Sequence, residues 1–168
     1  IAYEGVRKWK RGSATACADV HTSGGRIVEG DFAATHYVRE TTNGRQVFEE
    51  AEITGEPFQH IWEVRLPDVS RRWLVVAAER IDGGHTGNEF RFAFAASPEG
   101  PYVDAFSVSG SAPPQVAPLP NDLRGKLYVK VAGNERGPVQ SGADRLVVDA
   151  ISITYQQTDI GPFAQGDS

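Results

Sequence analysis

Arg145 to Tyr155, RLVVDAISITY, is the strongest strand signal in the chain. Val147, Asp149, Ile151, Ile153 and Tyr155 alternate with Leu146, Val148, Ala150, Ser152 and Thr154. β-Branched residues dominate and neither Gly nor Pro interrupts, so the stretch predicts a strand. Such a strand is not stable alone and must lie inside a sheet. One acid, Asp149, sits in its middle.

Upstream segments repeat the pattern. Residues 127–132 read as a strand, and so do residues 102–108. Phe90, Phe92 and Phe94 alternate with Arg91, Ala93 and Ala95. Residues 72–81 are apolar on both faces through Trp73, Leu74, Val75 and Val76, which predicts a central strand. Residues 58–66 place Phe58, His60, Trp62, Val64 and Leu66 on one face. Asn43-Gly44 predicts a hairpin between residues 35–40 and 45–53. Pro113, Pro114, Pro118 and Pro120 suit an edge or a loop.

No segment of a dozen residues shows a helical period. The reading is all-β: an antiparallel two-sheet β-sandwich of about nine strands. Residues 1–25, with a small and polar run from Gly12 to Gly25, predict an extended N-terminal arm. Residues 26–155 form the sandwich, and residues 156–168 a polar C-terminal tail.

A length of 168 residues allows one domain with a sizeable core. The net charge of −5 argues against nucleic acid as the main partner. No apolar run approaches the ~20 residues that span a bilayer. The chain has no Met, so Ile1 reads as the start of a processed or excised chain. The single Cys17 cannot form an internal disulfide and is expected to be a small buried residue.

Several stretches carry a resemblance. Residues 30–36 (GDFAATH) precede a strand and an acidic hairpin, and residues 60–64 (HIWEV) open a core strand. Residues 88–94 (NEFRFAF) are followed by residues 97–102 (SPEGPY), and residues 127–131 (LYVKV) lead to the strand that holds Asp149. Together they resemble the galactose-binding-domain-like jelly rolls of secreted or surface bacterial proteins. The resemblance covers residues 26–155. It implies a jelly roll, an extracellular or cell-surface location, and carbohydrate binding, often with structural calcium. A fold hosts many roles, so function rests on the site.

Catalysis is not predicted. No G-x-S-x-G elbow is present, and His21, His36, His60 and His85 are scattered without metal spacing. His60 reads as a satisfied core or interface histidine. Sugar binding needs aromatic rings with polar neighbours. Trp73, Tyr37 and Tyr102, with Arg71, are the ligand-binding candidates. Calcium needs six to eight oxygens on a bent loop. Asp82, Asn88 and Glu89 are one candidate set, and Asp31, Asp144 and Asp149 a second. The expected partner is a glycan or a surface protein. The alternative is a structural filament subunit whose N-terminal strand, through Tyr3, Val6 and Trp9, completes the sheet of another copy.

Overall fold

Two-residue alternation of buried side chains is clearest over residues 71–81 and 126–132. The computed structural model describes residues 8–38, 41–42, 44–51, 56–83, 89–111, 113–133 and 143–159. Its strands are β1 (Lys8–Ser23), β2 (Gly25–Glu29), β3 (Tyr37–Val38), β4 (Thr41–Thr42), β5 (Gln46–Glu50) and β6 (Gln59–Arg65). There follow β7 (Arg71–Ile81), β8 (Phe90–Ala95), β9 (Val103–Val108), β10 (Gln115–Pro118), β11 (Lys126–Ala132) and β12 (Arg145–Asp159). A 3-10 turn, Phe32–Thr35, is capped by the Asp31 side chain.

The strands form an antiparallel jelly-roll β-sandwich. One layer runs β10-β7-β12, and β12 continues to β5 and then β2. The other layer runs β6-β11-β8-β9. β1 belongs to both. Lys8–Thr15 pairs with β12, and Ala16–Ser23 pairs with β6. Register shifts between Ala16 and Ala18 and between Asp19 and His21 bend the strand from one layer to the other.

The arm expected over residues 1–25 is therefore, from Lys8 to Ser23, an integral strand. Ala16, at 1% exposure, is one reason: its small side chain packs into the core where β1 crosses layers. Gly24 reverses the chain into β2 with φ of 65°, and a Cβ there would stand 2.2 Å from Pro57 O. The tail expected from residue 156 begins as strand, since β12 extends to Asp159.

Three further expectations change. Residues 35–40 and 45–53 do not pair with each other. β3 pairs with β4, while β5 lies between β2 and β12. Gln46, Val47 and Phe48 are all buried, so β5 needs cover on both faces. Cys17 is exposed, because neighbouring Ala16 points inward and successive strand residues face opposite ways. β7 is paired on both sides but buried on one face only, as its alternating burial shows.

The core joins both layers. Leu74, Val76, Leu146, Val148, Ile151 and Ile153 meet Trp62, Val64, Phe92, Leu127, Val129 and Val131. β12 contributes through a bulge. Its register with β7 skips Asp149, which resets the inward face from Leu146 and Val148 to Ile151 and Ile153. Thr154 and Gln156 consequently lie on the outer face, across from Trp73 and Arg71.

Candidate ligand-binding face

On β7 the even residues 72–80 are buried, and Trp73, Val75 and Ala77 are half-buried on the opposite face. Trp73, Val75, Val116, Thr154 and Gln156 line an open groove of about 360 Å³ there. Antiparallel register arranges its walls in rows. Trp73 stands between Pro118 of β10 and Thr154 of β12. Val75 stands between Val116 and Ser152, and Arg71 opposes Gln156. The indole thus has Val75 and Val116 on one side along the strands, with Ser152 at the end of their row, and Arg71 and Gln156 on the other. An aromatic surface beside hydrogen-bonding side chains suits a ligand with both an apolar face and polar substituents.

Of the four sequence-derived ligand residues, Trp73 lines the groove, and Arg71 lies two residues before it on β7, opposite Gln156. Tyr102 lies away from the groove, just before β9. Its hydroxyl donates to Pro98 O at 2.8 Å, and Lys130 Nζ sits 4.2 Å from its ring centroid. Burial, with Glu99 and Tyr128 nearby, pushes its hydroxyl up to about 12. Tyr37 pairs with Thr42 through its backbone, and its side chain lies outside the described residues.

The acids play other parts. Asp144 is fully buried, and both its oxygens are engaged. Arg80 Nε donates to Oδ2 at 3.0 Å, and Gly83 N–H donates to Oδ1 at 2.7 Å. These contacts tie Asp144 to Arg80 and to the loop that follows β7. Asp31 Oδ1 accepts the Ala33 N–H. Asp149 sits in the bulge. Asp82 is exposed and pairs with Arg80 at 3.4 Å. Glu89 is half-buried before β8, and Asn88 lies outside the described residues. Among the described residues no three His, Cys, Asp or Glu side chains gather as a metal site.

Of the assembly residues, Tyr3 and Val6 lie outside the described residues, and Trp9 pairs through its backbone with Thr158 of the same chain. Donation of this strand to another copy competes with that pairing.

A polar network inside the sandwich was not legible in the sequence. His60, with no exposure, holds Asp19 Oδ1 at 2.9 Å through Nε2 and Thr22 Oγ1 at 2.6 Å through Nδ1. A carboxylate only accepts, so Nε2 carries a proton and donates to Asp19, while the Thr22 hydroxyl pairs with Nδ1. Gln46 Nε2 donates to Asp19 Oδ1 at 3.1 Å, and Trp62 Nε1 donates to Gln46 Oε1 at 2.9 Å. Phe32 N–H donates to Asp19 Oδ2 at 2.9 Å. Burial pushes the Asp19 carboxyl up, but the bonds from His60, Gln46 and Phe32 outweigh it and hold the group below its usual range. His60 is a satisfied core histidine, in agreement with the sequence reading. Its partners come from distant positions, and no local motif marks them.

Comparison with known proteins returns no matching family model and no matching curated protein. Similar solved structures include a family 61 carbohydrate-binding module in complex with β-1,4-galactotriose. It is 12% identical, covers 90% of this chain and 88% of its own, and gives a TM-score of 0.39. Another is a point mutant of the family 29 module CBM29-2 complexed with mannohexaose. It is 9% identical, covers 89% of this chain and 92% of its own, and gives a TM-score of 0.45. Among the described residues no helix is long and apolar enough to cross a membrane.

Proposed function

We propose that this chain is a non-catalytic, extracellular or cell-surface module that binds a neutral glycan on the outer face of β10, β7 and β12. The observation that carries the reading is the half-buried Trp73 in an open groove, with Thr154 and Gln156 beside it. A sugar ring lays its apolar face on the indole, and the two polar side chains meet its hydroxyls.

A glycan array followed by titration calorimetry tests this, with β-1,4-galactotriose and mannohexaose among the first probes. Trp73→Ala is expected to abolish binding while the melting temperature stays within a few degrees. Binding unchanged by Trp73→Ala would sink the reading, as would an array with no signal. Repeating the melts with EDTA tests calcium on Asp82, Asn88 and Glu89. Sedimentation with and without residues 1–12 tests the filament alternative.

A further inference from the structure

The groove is polarised along the strands. Two residues along a strand span about 6.6 Å, so the rows flanking Trp73 lie within reach of substituents on a sugar stacked over it. On one side Val75 and Val116 are paired across β7 and β10, and Val116 is 57% exposed. On the other, Arg71 and Gln156 are paired across β7 and β12. Over Val75 and Val116 a fully hydroxylated sugar would set hydroxyls against side chains that cannot bond them, with Ser152 standing on the far side of Val75. A sugar with a methyl group on that edge would remove apolar surface from water at both partners.

Resting on the glycan reading, we propose that this face selects sugars bearing a methyl-terminated substituent: an N-acetyl or O-acetyl group, or a 6-deoxy carbon. The methyl seats between Val75 and Val116, and the hydroxylated edge faces Gln156 and Arg71.

Matched pairs of oligosaccharides test this by calorimetry: N-acetylated against parent hexose chains of one linkage, and 6-deoxy against parent hexose glycosides. The full chain is expected to favour one methyl-bearing member about tenfold, the low end for a single methylene group in an apolar pocket. Val116→Thr and Val75→Thr exchange a methyl for a hydroxyl at similar size and strand propensity. Each is expected to erase the preference, so that the methyl-bearing member loses its advantage over its parent. Equal affinity within each matched pair would overturn the proposal, as would a preference that both threonine variants retain. If Trp73→Ala abolishes binding but no pair is discriminated, only this inference fails. If no sugar binds at all, the glycan reading fails with it.

Discussion

Val148 and Ile151 both point into the core, each without exposure, although three positions separate them on one strand. An unbroken strand would place them on opposite faces. Asp149, skipped in the register between Val148 and Ala150, absorbs the difference. The same bulge puts Thr154 and Gln156 on the face that holds Trp73.

Length at this bulge matters more than chemistry. Asp149→Gly is expected to change stability by less than about 1 kcal/mol, since bulges accept glycine. Deleting residue 149 slips the second half of β12 by one position and turns Ile151 and Ile153 outward. That variant is expected to lose its cooperative unfolding transition in urea. A folded deletion variant with native-like melting would contradict the account.

Asp19 accepts three hydrogen bonds, from His60, Gln46 and Phe32. Asp19→Ala leaves those donors without their acceptor and is expected to cost about 2–4 kcal/mol by urea denaturation. The folded carboxyl lies below the ordinary value of 3.8. Between those two values the unfolded chain binds more protons, so stability rises with pH there. The contribution is complete above the unfolded value and is lost as pH falls through the folded one. Asp19→Asn should therefore flatten the stability curve below about pH 4, and an acid limb as steep as wild type would refute this.

Arg80 and Asp144 form an ion pair at 3.0 Å with side chains 6% and 0% exposed. Asp144→Ala removes the buried carboxylate from the Arg80 guanidinium, which keeps Asp82 and the Ser109 carbonyl, and is expected to cost about 3 kcal/mol. Replacing both residues by apolar ones of similar volume should cost less than either single change. A double-mutant cycle with additive losses would show that the pair is not coupled.

Cys17 is exposed, and its thiol donates to Glu63 O at 3.3 Å. Burial of the sulfur and the Glu63 carboxylate push the thiol above its ordinary 9.0. The thiolate is the reactive form. The native chain is expected to react with a disulfide reagent at pH 8 more slowly than a free cysteine, and to accelerate as pH rises past 9. Glu63→Gln should raise the rate at pH 8. A rate at pH 8 equal to that of free cysteine would refute the Glu63 contact.

Much of the fold was legible because burial on one face imposes a period of two. Trp62 and Val64 of β6, and Phe90, Phe92 and Phe94 of β8, read correctly for that reason. β7 misled because Trp73, Leu74, Val75 and Val76 are all apolar. Apolar residues on an outer face look the same in sequence as core residues. Arg71 and Trp73 were candidates from residue type alone, whereas Val116, Thr154 and Gln156 carried no chemical signal. They reach the groove through pairing of strands far apart in the chain.

Local order of side chains along each strand thus determined that this protein is an antiparallel sandwich and which segments build it. Tertiary pairing decided the rest: the shared strand β1, the bulge at Asp149, the burial of Asp144 against Arg80, and the rows around Trp73. Alternation is a property of neighbours in the chain and is written there. Register and strand order are set by packing between segments tens of residues apart, so only the assembled sheets disclose them.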